Sequence, residues 1–579
     1  MKQVLHQLGR YRKDSFLCIG LTALEVLMEI LLPFITARII DDGLQAQNLP
    51  VVYRYGALMV VMACFSLLFG ALAGKFAASA STGLAANLRE AIYDNIQTFS
   101  FSNIDKFSVP GLVTRMTTDI TNVQNAFMMV IRVAVRSPLT LIFSYAMCIY
   151  ISPSLSLTFL IAVVFLVAVI GAIMLATIKI FNEVFRKYDD LNASVQENVS
   201  AIRVVKAFVR EDYENRKFSR ASENLRRLFV KAEGLLAFNG PAMMIAVYFC
   251  IIMVSWLGAQ QIVGGVLTTG DLTSLFSYIM SLLMSLMMLS MVVVMISMSL
   301  ASIRRISEVL TETPDLHNPA DPVLEVKDGS IDFDHVDFSY KHGSGKNALS
   351  DIDLHIKSGE TIGVIGATGS GKSSLVNLIC RLYDVDAGSV KVGGVDVRAY
   401  DMEALRNQVS VVLQKNTLFS GTILENLRWG NPGATEEECV QACRAACADE
   451  FIDRFPEGYE TRIERGGNNV SGGQKQRLCI ARALLKKPKV LILDDSTSAV
   501  DTATDAKIRA AFAETIPGTT KIIIAQRISS VEGADRILVL DDGRINGFDT
   551  HENLLKTNAI YREIYESQVK GGGDFDQSA

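Results

Sequence analysis

The run Gly366-Ala367-Thr368-Gly369-Ser370-Gly371-Lys372-Ser373 has the residue types and spacing to bind a nucleoside triphosphate. Its glycines let backbone N–H groups curl around phosphate oxygens, and a helix opening directly behind them, at Ser374, adds positive potential. Lys372 can reach the β- and γ-phosphates, and Ser373 can offer its hydroxyl to Mg²⁺. The apolar run Val490–Leu493 ends in Asp494, a carboxylate of the kind a magnesium shell needs. Between the two lies Val470-Ser471-Gly472-Gly473-Gln474, a serine and two glycines at an apparent helix start, which forms a second anion-binding site. One ATP carries one set of phosphates, so a second phosphate site points to two half-sites that meet across a dimer.

Elements must hold these residues in place. The phosphate loop follows a strand-like run, Thr361–Ile365, and precedes a helical one, Ser374–Leu382. Further strand-like runs at Ser330–Phe333, Ile352–Ile356, Val409–Leu413, Val490–Leu493, Lys521–Ile524 and Arg536–Leu540 alternate with helical stretches. This alternation predicts an α/β domain with a largely parallel sheet over residues 328–569. A polar, proline-rich linker at 311–327 precedes it, and a glycine-rich tail at 570–579 reads as unstructured.

The N-terminal half is different. Half of the whole chain is hydrophobic, only 20% is charged against about 25% in ordinary soluble proteins, and the mean hydropathy is +0.28. These values exclude a disordered chain, a coiled coil and a secreted disulfide scaffold. They also argue against a purely soluble enzyme. The net charge of −5 gives no general pull toward nucleic acid. Arg136 and Lys179 bracket an uncharged run long enough for two membrane spans of ~20 residues each, with Ser152-Pro153-Ser154 as the turn between them. Six spans are predicted within a helical membrane domain at 1–310, near 16–38, 55–78, 134–152, 155–178, 236–262 and 272–302. Lys and Arg crowd the segments before the first span and between the fourth and fifth, which places both termini in the cytoplasm. Leu5, Leu8 and Tyr11 predict a short helix lying on the cytoplasmic membrane face. The connections at about 79–133 and 179–235 read as helices that extend well beyond the bilayer.

Taken together, these motifs and their order resemble the ABC exporter half-transporters, in which six spans are followed by one ATP-binding domain. The resemblance covers about 1–569. It makes Gly366–Ser373 the Walker A loop, Asp494 the Walker B aspartate, Ser471–Gln474 the signature motif with Val470 where Leu is usual, and Gln414 the glutamine near Mg²⁺. It makes Tyr340 the aromatic that stacks on adenine and Asp501 the D-loop aspartate. It implies a head-to-tail dimer in which ATP is clamped between one Walker A loop and the opposite signature. It also implies coupling helices, placed here near Arg115–Asp119 and Phe208–Glu214.

Two positions depart from the family pattern. Asp495 stands where the family places the catalytic Glu, and one methylene less retracts the carboxylate by about 1.5 Å, a scale of misplacement that can cost ~10²-fold in rate. Gln526 stands where the family places the switch His, and an amide lacks the protonation states of an imidazole. The expected consequence is a site that binds MgATP and cleaves it slowly, with a partner half-transporter supplying Glu and His. The same departures resemble the degenerate-site subunit of bacterial heterodimeric multidrug exporters of the inner membrane. A lipid or peptide exporter, or a non-transporting regulatory subunit, is the alternative.

Three weaker signals remain. Met280, Met284, Met287, Met288, Met291, Met295 and Met298 fall within an arc of about 100° on the sixth span, as a wall of a promiscuous apolar substrate cavity or as a face for helix packing or lipid contact. Glu25 and Glu29 share one face of the first span, either as a site for cationic substrates, or paired with Lys75, Arg132 or Arg136, or at a water-exposed position. Cys439, Cys443 and Cys447 recur at helical spacing with no fourth metal ligand, which reads as packing.

Overall fold

The computed structural model describes residues 2–340, 347–496 and 500–572, apart from a few side chains, that of Met298 among them. The chain divides into two compact units, residues 1–97 with 109–312, and residues 98–108 with 313–579.

The first unit is helical. Its helices are α1 (Lys2–His6), α2 (Arg12–Arg38), α3 (Leu49–Thr98), which extends into the second unit, α5 (Val109–Thr114), α6 (Ile120–Ile151), α7 (Pro153–Ser200), α8 (Ile202–Ala207), α9 (Glu211–Ala237), α10 (Asn239–Val263) and α11 (Thr269–Thr311). A separate helix, α4 (Phe101–Phe107), belongs to the second unit. Among the described residues, six helical segments are long and apolar enough to cross a membrane, and each overlaps one of the predicted spans. The Ser152 hydroxyl accepts the Leu155 N–H and Pro153 takes the first turn of α7, so the predicted turn is a helix cap. Val26, Ile30, Leu155, Phe159, Tyr278 and Ile279 form the core among α2, α6, α7, α10 and α11. The apolar window of α3 is the least buried of the six.

Near the N-terminus, Val4 and Leu8 are buried and Leu5 is exposed. A Cβ on Gly83 would lie against the Tyr11 ring, so the predicted membrane-surface helix packs partly on its own unit. Arg115–Asp119 is a π-helical turn whose buried Asp119 accepts from Arg305 Nε at 2.8 Å and from Ser302 at 2.8 Å. These residues are thus tied to α11 within the first unit. Helix α4, which a Ser100/Asn103 capping box opens, belongs to the second unit, where its Asp105 accepts from Tyr383 at 3.0 Å. In the second connection the short helix is α8, a few residues before the predicted position. Phe208 and Val209 follow it, 72% and 80% exposed.

The second unit contains β1 (Ile331–Phe338), β2 (Leu349–Ile356), β3 (Thr361–Gly366), α12 (Lys372–Ile379), β4 (Ala387–Val392), β5 (Val395–Asp396), α13 (Met402–Gln408), β6 (Val409–Val412), β7 (Gly421–Thr422), α14 (Ile423–Arg428), α15 (Glu436–Ala445) and α16 (Asp449–Ile452). After these come β8 (Arg462–Ile463), α17 (Gly472–Leu484), β9 (Val490–Asp494), α18 (Thr502–Thr515), β10 (Thr520–Ile524), β11 (Arg536–Asp541), β12 (Arg544–Asp549), α19 (His551–Thr557) and α20 (Ala559–Gly572). Helix α20 thus runs through 570–572, where a tail is predicted, and 573–579 lie outside the described residues.

The main sheet has the order β12-β11-β3-β10-β9-β6, parallel except for β12. Every residue of β9 and β10 is buried, as strands covered on both faces require. The runs at 330–333 and 352–356 leave this sheet. They pair antiparallel with each other in a second sheet, β2-β1-β4-β5, because their alternating burial suits a sheet with one solvated face. Cys439 and Cys443 lie on α15, while Cys447 lies beyond its end at φ +51°. All three thiols are buried in one apolar cluster with α17 and the main sheet, as packing requires.

Candidate nucleotide site

Strand register builds the site. In the parallel ladder Ile524 stands beside Asp494 and Val364, and Val412 beside Leu493. The carboxyl ends of β3, β6, β9 and β10 therefore share one edge, where ligands of open α/β sheets bind. The residues just past those ends are the Gly366–Ser373 loop, Gln414, Asp494 with Asp495, and Gln526.

The loop turns through Gly369 and Gly371, at φ +87° and +98°. A Cβ on Gly371 would stand 2.7 Å from the Leu349 side chain and 2.8 Å from the Ala348 carbonyl, so only glycine fits. Helix α12 begins at Lys372 and aims its unpaired N–H groups into the loop. Lys372 Nζ donates to the carbonyls of Gly366 and Ala367, both at 2.8 Å. Burial lowers the Lys372 pKa, and the charges of Asp494 and Asp495 oppose that shift. Burial raises the Asp494 carboxyl, while a hydrogen bond from Ser373 and the charge of Lys372 act the other way. Ser373, Asp494 and Gln414 all line the cavity and carry hard oxygen donors, a set that fits Mg²⁺.

Asp495 adopts a left-handed backbone at φ +48°, a conformation that costs a non-glycine residue on the order of 1–3 kcal/mol. Its N–H donates to the Ile524 carbonyl at 3.0 Å. Its Oδ2 accepts from Gln526 Nε2 at 2.8 Å and from Gln414 Nε2 at 3.3 Å. Two amides therefore converge on one oxygen of the carboxylate that stands in the catalytic position.

The loop, Ser373, Ser374, Gln414, Asp494, Asp495, Gln526 and Tyr340 line one cavity of about 700 Å³. The Tyr340 hydroxyl lies 3.0 Å from Ser374 Oγ, and its ring meets Tyr383 edge-on at 5.1 Å. Ser370 is buried beneath the loop and does not line the cavity. Ser471–Gln474 and Asp501 lie elsewhere. Ser471 caps α17 and exchanges hydrogen bonds with Gln474, and Asp501 caps α18 by accepting the Thr504 N–H at 2.9 Å. Sequence reasoning missed Ala348, Ile524 and Asp541, and also Ile560, Glu563 and Ile564 of α20, which line the cavity too. It also missed Gln568, whose amide bridges the chain beside Gln526. Its Nε2 donates to the Gln526 carbonyl at 2.8 Å and its Oε1 accepts the Ile528 N–H at 2.9 Å. No motif marks a contact made by one side chain forty or more residues away.

Among the predicted cargo residues, Met280, Met284, Met288 and Met291 are exposed on α11, and Met287 and Met295 are half-buried. Arg136 holds both carboxylates of the first span. Its guanidinium donates to Glu25 Oε1 at 2.5 Å and to the two Glu29 oxygens at 2.8 and 2.7 Å. The two acids thus share one guanidinium within the bundle, as the pairing alternative expects.

Comparison with known proteins agrees with this geometry. The profile described as the ABC transporter transmembrane region matches residues 15–305, and the profile described as ABC transporter matches residues 349–498. An uncharacterised ABC transporter ATP-binding protein of Bacillus subtilis (strain 168), YfiB, is 35% identical over 568 residues, which is 98% of each chain. A protein of Mycobacterium bovis (strain ATCC BAA-935 / AF2122/97) named a fatty acid ABC transporter ATP-binding/permease protein is 33% identical over 477 residues, 82% of this chain and 75% of that one. The solved structure of a bacterial Atm1-family ABC exporter with ATP bound superposes with a TM-score of 0.83 at 25% identity, over 96% of this chain and 99% of that one. The six-span membrane domain, the phosphate loop at the sheet edge and these likenesses place the chain in the ABC transporter family, as a multi-pass exporter half-transporter with its own ATP-binding domain.

Proposed function

We propose that this chain is one half of a heterodimeric, ATP-driven exporter of hydrophobic or amphipathic compounds. Its own site binds MgATP and cleaves it slowly, and its Ser471–Gln474 completes a faster site on a partner half-transporter that carries Glu and His. The observation that carries the reading is the pair of amides, Gln526 and Gln414, on Asp495 Oδ2. A catalytic base needs a free oxygen facing the attacking water. The shorter Asp495 side chain has one oxygen committed to two donors, and neither amide can shuttle a proton.

The chain's own residues divide the work. Lys372 exchanges its two carbonyl bonds for phosphate oxygens when ATP enters the loop. Ser373, Asp494 and Gln414 would hold Mg²⁺, which offsets phosphate charge when bound. Ser471 and the N-terminus of α17 point exposed donors outward, as a γ-phosphate held by another chain requires. The exposed methionine face of α11 supports a flexible apolar cargo wall, and the M. bovis relative's name supports cargo of the same character. Both termini then lie in the cytoplasm and cargo moves outward. The deciding experiment is ATP turnover by the purified chain alone and with its co-purifying partner. Slow turnover alone with fast turnover in the pair supports the reading, and a normal transporter rate from the chain alone sinks it.

A further inference from the structure

Strand β10 ends at Ile524, and the backbone just past it carries Gln526. The Ala525 N–H still donates to the Val364 carbonyl at 3.3 Å. Beyond it, Arg527 keeps an extended backbone at φ −97° and ψ 130°, yet among the described residues no strand pairs with it. One side chain takes the place of that strand. Gln568 Nε2 donates to the Gln526 carbonyl at 2.8 Å, and its Oε1 accepts the Ile528 N–H at 2.9 Å. A parallel strand makes the same pair of bonds, donating to one residue and accepting from the residue two further on. The Gln526 side chain, carried on this backbone, donates to Asp495 Oδ2 at 2.8 Å. Gln414 reaches the same oxygen at 3.3 Å, so Gln526 is the closer of the two donors.

Helix α20 brings Gln568 there. Tyr561 anchors the helix: it is fully buried, its N–H donates to Asn558 Oδ1 at 2.9 Å, and its hydroxyl lies 2.7 Å from His551 Nδ1. Ile560 and Ile564 pack against the apolar cluster that includes Ile523 and Ile528, and both also line the nucleotide cavity. Gln568 follows Ile564 by four residues, so it lies on the same helix face one turn on. One face of α20 therefore borders the space for nucleotide and, at its end, fixes the loop that carries Gln526. Gln568 itself does not line the cavity, so its route to the reacting groups runs through that loop.

We propose that Gln568 is a positioning residue of this ATPase site: by fixing the backbone at 526–528 it keeps the Gln526 amide on Asp495 and the carboxylate occupied. The direction of its effect rests on the reading of this site as slow. Gln568→Met keeps the length of the side chain and removes the amide that makes both bonds. In the full-length chain in nanodiscs, it is expected to raise ATP turnover about 5-fold, the scale of one hydrogen bond, with KM within about 2-fold. In a Gln526→Ala background the same substitution should change turnover by less than about 1.5-fold, because the group it acts through is gone. Gln568→Glu is the second variant. It retains an acceptor for the Ile528 N–H, loses the donor to the Gln526 carbonyl, and should move turnover in the same direction. Melting temperatures verify folding, and loss of folding in both variants assigns Gln568 to stability and overturns the proposal. An equal change with and without the Gln526 amide, or no change in either background, also overturns it, since a helix that merely supports the domain acts in both. The sign of a coupled change judges the slow site separately. A coupled gain from a slow wild type supports both readings. A coupled loss leaves Gln568 as a positioning residue and sinks the slow site, because Gln526 on Asp495 then promotes cleavage.

Discussion

Gln526 Nε2 donates to Asp495 Oδ2 at 2.8 Å, so the two residues that depart from the family pattern are bonded to each other. The departures form one unit, a carboxylate held in a left-handed backbone turn by an amide at the end of the next strand. Restoring one residue without the other leaves a mismatched pair.

Asp495→Glu with Gln526→His is therefore expected to raise turnover at this chain's own site by about 10–100-fold, the scale set by general-base placement. Either single change should give less than half of that gain on a logarithmic scale. Steady-state kcat alongside ATP-analogue affinity checks it, with affinity expected to stay within about 3-fold.

Ser471→Ala removes a hydroxyl that caps α17 and faces outward. In a complex with a competent partner, turnover should fall by about 10²-fold, the usual consequence of losing one pre-aimed donor to transferring phosphate. Nucleotide retained on Lys372 of the same chain should be unaffected, as photo-crosslinking with an azido-ATP measures.

Gln568→Ala breaks two bonds to the backbone around Gln526. The loss should amount to about 1 kcal/mol of local stability, read as roughly 5-fold faster hydrogen exchange at the Ile528 amide. Exchange in β3 should not change.

Arg136→Met leaves Glu25 buried and charged without a cation. It should destabilise the membrane domain by about 3–5 kcal/mol. Adding Glu25→Gln and Glu29→Gln should recover most of the loss, as thermal melting in detergent would show. A triple variant no more stable than the single one would contradict the pairing.

Burial pushes the Cys443 and Cys380 thiols up to about 12, so at pH 8 roughly one molecule in 10⁴ carries a thiolate at either position. These groups should resist iodoacetamide in the native state. A raised acid pKa favours the neutral form of the folded protein, so stability contributed by the buried thiols is intact below the unfolded value near 9 and declines as pH rises from there toward 12. Labelling at pH 8 with and without denaturant checks the first point, and denaturant unfolding compared at pH 8 and pH 10.5 checks the second.

Much of this protein is determined locally and can be read from the chain. The phosphate loop needs glycines at fixed offsets and a following helix, and those needs are written in consecutive residues. Membrane spans are set by the length of uncharged runs, and the break at Ser152-Pro153 by cap chemistry. The substitutions at Asp495 and Gln526 are equally legible as residue types. Tertiary structure decided whatever depends on which distant groups meet. Parallel register brought Gln414, Asp495 and Gln526 to one sheet edge, a convergence that hydropathy periods cannot encode. The antiparallel pairing of β1 with β2 and the transfer of α4 to the nucleotide unit followed from faces that only packing matches. The clearest case is the intramembrane charge: two acids on one helix point to a cation site, until a guanidinium from α6 bonds both. Coulomb pairing depends on distances across helices, and sequence spacing fixes distances only along one.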